Sequence, residues 1–251
     1  MGGFNMNPYG EKFTEIYDRR FSGYAQKSAP YLLNFFSNQS AALRILPVLD
    51  LGCGTGQLAF HFLEAGYSFT GLDLSPNMLL KARERCRRHW VAGKADFIEA
   101  DISTFEISGP FGMVVSTYNS LNHLETPESL RGCFRSVRTS LAPGGAFVFD
   151  YHTALGLRAW AGDEASSLEG ESVQSHGEFD EAKGRAVMRL AITVGEELFE
   201  AVIENQIFPM AEIAKWLKEE GFFQVRFSEM SDLEKTVADP EGEKRVVVIA
   251  T

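Results

Sequence analysis

The chain has 251 residues, 24 Lys and Arg against 34 Asp and Glu for a formal net charge of −10, with 45% apolar, 23% charged and 12% aromatic residues. That length fits one α/β domain, or one carrying a sizeable insertion, and the composition excludes collagen-like, coiled-coil and disordered chains. The acidic balance argues against a broad duplex-binding face; no run reaches the ~20 apolar residues of a membrane span, and none reads as a signal peptide.

Nine of the thirty aromatic residues fall within the first 36 positions. Tyr9, Phe13, Tyr17, Phe21 and Tyr24 recur at three- or four-residue spacing, followed by Tyr31, Phe35 and Phe36, which predicts an aromatic stripe along a helix or broken helix. The phenylalanines suit simple packing. Tyrosine carries a polar end that suits the rim of a ligand cavity, so residues 1–40 are expected to form a helical lid.

From Ile45 the chain alternates strand and helix signals. Ile45–Leu51 is an apolar run ending in a Gly-rich turn, a buried strand. Leu58, Ala59, Phe62 and Leu63 give the next helix its inward face, and Gly66 stops it. Ser68–Leu74 is the second strand, and Ser75-Pro76 caps the helix carrying Leu79, Ala82 and Cys86. Asp96–Ala100 and Met113–Tyr118 are strands three and four. Thr126-Pro127 opens a helix with Leu130, Phe134 and Val137 on one face, and Ala146–Asp150 is strand five. This alternation predicts right-handed βαβ units and a mostly parallel sheet.

The rhythm then breaks. Residues 154–208 read as an antiparallel β insertion, with strands at Val173–Phe179, Arg185–Val194 and Leu198–Phe208 and a hairpin signal at Gly195. Ala211–Glu220 returns to helix. Phe222–Ser228 and Arg245–Ala250 are expected to pair antiparallel. The division is therefore a lid over 1–40, a cofactor domain over 41–153 and 209–251, and the insertion over 154–208.

The strongest motif is the string from Val48 to Gly56, VLDLGCGTG. Its glycines let backbone approach a ligand closely, with helix N-terminal amides aimed at it. Taken alone it also fits the loose dinucleotide fingerprint. Asp50 tilts the balance: at the end of the strand it would repel a pyrophosphate and favour a cofactor bearing an ammonium and a sulfonium. Asp73, ending the next strand, is placed to accept two ribose hydroxyls in either kind of cofactor.

LDLGCGTG, GLDLSPNML, EADIS, MVVSTYNSLNHL and LAPGGAFVFD, in that order, resemble the class I S-adenosylmethionine-dependent methyltransferases, densely over 45–150 and more loosely over the final helix and strand pair. The resemblance implies a Rossmann-like, seven-stranded, mostly parallel sheet whose last strand is antiparallel. It implies S-adenosylmethionine as cofactor and S-adenosylhomocysteine as product. Gly52, Gly54 and Gly56 would then line the methionine portion, beside Asp50, and Asp73 would hold the ribose. Leu74 and Met78 would pack the adenine, Asp101 and Ile102 would meet its amino edge, and Tyr118 follows the strand towards which the methyl points. The N-terminal tyrosines, the string Asn119–Leu124 and the insertion look more narrowly like the small-molecule branch that includes amino-sugar and glycine-type N-methyltransferases. The Pro-Pro signature of enzymes that methylate nucleobase or glutamine amides is missing, since Asn119-Ser120-Leu121-Asn122 stands there.

His123 is the first candidate for a general base, with a structural histidine equally admissible; Tyr17 and Tyr24 would close the site and orient the acceptor. His152 has the same status with less support. Cys53 reads as a small filler. Cys53, Cys86 and Cys133 are odd in number and widely spaced, so neither a disulfide framework nor a metal site is expected, and a reducing cytoplasm is. The basic run at Lys81, Arg83, Arg85, Arg87 and Arg88 reads as a solvated helix face rather than a nucleic-acid contact. Seven acidic residues and no Lys or Arg lie between Arg158 and Lys183, which leans towards a cationic or amine acceptor if that segment overhangs the site. The reading is thus methyl transfer to a nitrogen or oxygen of a small molecule, by a monomer or a homodimer. The alternatives are a tRNA- or protein-modifying methyltransferase, a non-catalytic cofactor-binding module and, last, an NAD oxidoreductase.

Overall fold

The computed structural model describes residues 11–20, 23–168 and 170–251. Tyr9 and Phe21 of the aromatic series lie outside them. The chain enters through α1 (Glu11–Arg20), α2 (Gly23–Ser37) and the short α3 (Ala41–Arg44). It then runs β1 (Val48–Leu51), α4 (Gln57–Glu64), β2 (Phe69–Asp73), α5 (Pro76–Arg85), α6 (Arg87–Val91), β3 (Ala95–Glu99) and β4 (Phe111–Ser116). A 3-10 turn at Ser120–His123 leads to α7 (Pro127–Ser140), β5 (Leu141–His152) and α8 (Ala154–Arg158). The insertion is β6 (Gly162–Leu168), β7 (Glu171–Asp180), β8 (Arg185–Val194) and β9 (Glu197–Gln206); α9 (Met210–Glu219), β10 (Val225–Glu229), β11 (Asp232–Thr236) and β12 (Arg245–Ala250) complete the fold.

The main sheet has the order β11-β10-β12-β5-β4-β1-β2-β3. Strands β1 to β5 run parallel, and β12 lies antiparallel between β5 and β10. It has eight strands rather than the expected seven. The extra one, β11, folds back on β10; only Leu233 of its DLEKT run is buried, so it carries no alternation a sequence reading could catch. The insertion likewise has four strands rather than three: β6 is polar and exposed along its whole length, held by its ladder to β7. The first strand is shorter than expected. Ile45 is 82% exposed, and the chain before Pro47 is the turn of α3, capped by Ser40.

Side chains alternate across the sheet. On β5, Phe147, Phe149 and Tyr151 pack with Phe134 and Trp216 of α7 and α9, while Ala146 and Val148 face Phe36 and Phe62 of α2 and α4. Two filled layers thus hold the carboxyl ends of β1, β2, β4 and β5 along one edge. Strand order reverses between β2-β1 and β4, which opens a crevice there, the usual place for a ligand in an open α/β sheet. The insertion sheet joins this edge through a third cluster, in which Val173, Leu190, Ile192 and Ala201 pack against Phe13 and Ile16 of α1 and Met78 of α5.

Candidate active site

From β1 the chain turns through Gly52, Gly54 and Gly56, all at positive φ (+72°, +53° and +73°), into α4. A Cβ on Gly52 would stand 2.7 Å from Ser120 Oγ, and one on Gly56 2.9 Å from Ala82 Cβ. These two are fixed by packing as well as by backbone. At Gly54 the nearest atom is Tyr17 Cε1 at 3.8 Å, so its surface is the open face of the loop. The Asp73 carboxylate accepts from the N–H of Gly54 (2.8 Å) and of Ser75 (2.9 Å), which ties the ends of β1 and β2 together. Burial nevertheless raises its pKa against those bonds.

Asp50 is 2% exposed, and its Oδ1 has no hydrogen-bond partner. Burial, followed by the neighbouring Asp73, pushes its pKa up to about 8. Above the loop, Tyr17 of α1 and Tyr24 of α2 converge on Tyr118, with ring centroids 6.4 and 5.1 Å away. The Arg245 guanidinium sits 4.6 Å from the Tyr24 ring and 5.6 Å from that of Tyr118.

Asp150, at the end of β5, is the hub of this side. It accepts from the backbone N–H of Tyr118 (3.0 Å) and Asn119 (2.6 Å) and from Arg245 (2.9 Å). Tyr118 and Asn119 sit at φ +62° and +54°, a left-handed pair that non-glycine residues rarely adopt and that Asp150 holds in place. Arg245 also donates to Asn119 Oδ1 (3.2 Å) and to His152 Nε2 (2.7 Å). Burial, then Arg245, pushes the His152 pKa down to about 4, so the ring is neutral, donating from Nδ1 to the Lys244 carbonyl.

A second set of bonds fastens α1 over the loop. Asp18 accepts from Thr55 Oγ1 (2.6 Å), Gln57 Nε2 (3.0 Å) and Arg85 (2.6 Å), and Arg85 also donates to the Thr55 carbonyl (3.0 Å). Burial would raise the Asp18 pKa, but the Thr55 and Gln57 bonds and the Arg85 cation outweigh it and hold it below the usual range. Arg19 and Arg20 pair with Glu171 of the insertion. In the basic run, Arg83 bonds the Phe97 carbonyl, Arg85 bonds Asp18 and Arg88 bonds Glu64.

The residues singled out in the sequence are thus distributed unevenly. Tyr17, Tyr24, Asp50, Gly52, Gly54 and Tyr118 line one cavity, and Asp73 reaches it through Gly54. Gly56 packs behind the loop. Leu74 is 69% exposed beside Asp73, and Met78 is buried beneath Phe13 and Ile16. Asp101 is exposed, accepting from Ser103 N (2.8 Å), with Ile102 half-buried next to it. His123 does not line the cavity: its imidazole bonds the backbone of Glu204 on β9, and burial lowers its pKa. Sequence reasoning missed two networks, Asp18 with Arg85 over the loop and Asp150 with Asn119 and Arg245 at the end of β4. The available signal was Asp150, a third carboxylate ending a parallel strand, after Asp50 and Asp73.

A methyltransferase domain family matches residues 48–145. YqeM of Bacillus subtilis (strain 168), which carries the name of a methyltransferase, is 30% identical over 182 residues, 70% of this chain and 72% of its own length. The chain belongs to the methyltransferase family. A further relative, the dTDP-3-amino-3,4,6-trideoxy-alpha-D-glucopyranose N,N-dimethyltransferase of Streptomyces venezuelae, is 34% identical over 103 residues, 41% of either chain. In fold, the methyltransferase matches a crystal structure of an S-adenosylmethionine-dependent methyltransferase from Clostridium acetobutylicum ATCC 824 with a TM-score of 0.80. That match has 23% identity and covers 96% of this chain and 97% of the other.

The residues of the crevice fit S-adenosylmethionine, the cofactor on which that structural neighbour depends. The orphaned, buried Asp50 oxygen suits an ammonium, the open face of Gly54 admits a chain against backbone, and Asp73 stands where ribose hydroxyls would donate. When bound, the cofactor supplies a methyl group already activated on a sulfonium. The protein's part is to orient that methyl and its acceptor and to exclude water.

The Asp50 pKa gives a sign that can be checked. Its folded value lies far above the ordinary carboxyl value of 3.8, so without cofactor the group holds a proton at pH 7. An ammonium alongside would favour the carboxylate, so at pH 7 binding against Asp50 would release about one proton from it. Affinity for S-adenosylhomocysteine therefore rises with pH and levels off as the Asp50 value is passed, whereas cofactor-free stability falls over the same window. Calorimetry in two buffers of different ionisation enthalpy measures the released proton; no difference between buffers would mean that Asp50 does not meet the ammonium.

Proposed function

We propose that this methyltransferase methylates an amine nitrogen of a small polar molecule, in a site closed by Tyr17 and Tyr24. The carrying observation is the tyrosine trio at the end of β4, where the Arg245 guanidinium already lies against the rings of Tyr24 and Tyr118. Aromatic faces of this kind attract the alkylammonium that methylation produces. The named activity of the Streptomyces venezuelae relative, N-methylation of a nucleotide-linked amino sugar, supports a nitrogen acceptor over an oxygen. A tRNA or protein acceptor has less support, because Arg83, Arg85 and Arg88 are engaged within the chain. The three cysteines are buried and free, and no helix among the described residues is long and apolar enough to cross a membrane, which supports placement in the cytoplasm.

The test is S-adenosylhomocysteine formation by the purified protein with S-adenosylmethionine and 3-amino-3-deoxy-D-glucose, alongside bulk tRNA. Turnover with the amino sugar and none with tRNA is expected; the reverse sinks the proposal, and cofactor binding without any turnover would make the chain a binding module.

Two residues refine the reading. The cavity beneath Tyr17 has room for about one water (≈ 30 Å³), so we take α1 to be a lid that lifts to admit cofactor, held down by Asp18. Asp18→Asn removes a charge-assisted pair with Arg85 and is expected to speed S-adenosylhomocysteine release about tenfold in stopped-flow, ~1.4 kcal/mol; an unchanged rate removes Asp18 from the lid. His123 anchors the 3-10 turn to β9 in this reading and supplies no proton transfer. His123→Ala is expected to keep turnover within about threefold while lowering stability by ~1–2 kcal/mol for a buried hydrogen bond. A loss of turnover at full stability would restore His123 as base.

A further inference from the structure

Among the described residues, three buried side-chain atoms lack a hydrogen-bond partner: Asp50 Oδ1, Tyr24 Oη and Asn205 Nδ2. Buried polar groups are nearly always paired, so an orphan beside a reaction site marks a position where a ligand atom completes the bond. Asp50 is the one already assigned to the cofactor ammonium. Tyr24 lies against Asp150 and Arg245, which its hydroxyl does not bond in good geometry. Asn205, on β9, is 1% exposed and belongs to neither.

The direction of its amide is fixed by its neighbours. Arg245 can only donate, so the Asn119 atom it meets at 3.2 Å is Oδ1. Asn119 Nδ2 is then left to donate, and the Asn205 atom it meets at 2.8 Å is Oδ1. Asn205 is thereby obliged to present Nδ2, and turning either amide over would set N–H against N–H. The relay runs from Arg245 through Asn119 to Asn205, and so from the rings of Tyr24 and Tyr118 to a donor on the insertion sheet.

We propose that Asn205 is a specificity-determining residue that donates from Nδ2 to a hydroxyl or carbonyl oxygen of the acceptor, selecting an amine flanked by oxygen over a plain alkyl amine. This rests on the small-amine reading above. A site built around a buried donor discriminates strongly against an acceptor lacking the matching oxygen, because the donor is then left unpaired.

The experiment compares kcat/KM for 3-amino-3-deoxy-D-glucose and for cyclohexylamine in the wild type, Asn205→Ala and Asn205→Leu. The leucine variant keeps the volume that alanine removes. The wild type is expected to favour the amino sugar by about 100-fold or more. Both variants should bring that ratio down at least tenfold, chiefly through a higher KM for the sugar, with S-adenosylhomocysteine affinity within about twofold of wild type. An unchanged ratio in a variant that binds S-adenosylhomocysteine normally overturns the role of Asn205 and leaves the amine reading standing. Absence of turnover with both amines in the wild type overturns both.

Discussion

Asp73→Ala is expected to weaken S-adenosylhomocysteine binding by about 100-fold or more, measured by calorimetry. Two hydroxyl donors on a ribose would each form a charge-assisted bond worth ~1.5–3 kcal/mol, so losing both passes the ~2.7 kcal/mol that a factor of 100 requires. The same carboxylate receives the N–H groups of Gly54 and Ser75. Its removal also frees the turn that faces the cofactor and leaves two backbone donors without their partner. Asp73→Asn keeps the shape but carries no charge, and its amide can still accept one of the bonds; it should fall between wild type and alanine. Affinity within threefold of wild type in the alanine variant would remove Asp73 from the ribose site.

The second large effect concerns Asp150. It is fully buried and neutralises Arg245, itself largely covered. Removing one member of such a pair strands the other charge, at ~3–5 kcal/mol. Asp150→Ala also withdraws the acceptor for the N–H groups of Tyr118 and Asn119. The left-handed turn after β4 thus loses its support in the same step. The expected result is a melting temperature lower by roughly 6–10 °C for a chain of this size, at about 2 °C per kcal/mol, together with a collapse of kcat. Combining Asp150→Ala with Arg245→Leu removes the stranded guanidinium, so stability should return in part while kcat stays low. Equal losses in the single and double variants would show that the ion pair contributes nothing beyond the turn.

Legibility followed range along the chain. The glycine turn after Asp50 and the carboxylate ending β2 are local features, written in a few consecutive residues whose backbone requirements leave few alternatives. The Asp150–Arg245 pair spans 95 residues and joins two strands that become neighbours only once β12 inserts beside β5, so no spacing rule could have found it. The same holds for Asp18 and Arg85, where a helix-face arginine looked solvated until α1 folded over it. His123 illustrates the converse: its place after β4 was read correctly, but its partner, the Glu204 backbone, lies on the insertion and gives the imidazole an anchoring bond. Strands β6 and β11 escaped because they bury almost nothing of their own and exist by pairing.

The most direct test of this cofactor site is a crystal structure of the protein with S-adenosylhomocysteine. The ribose hydroxyls are expected on Asp73, the ammonium on Asp50, and the sulfur turned towards the space beside Tyr24 and Tyr118. A cofactor that leaves Asp50 and Asp73 untouched, or whose sulfur points away from Tyr118, would contradict it.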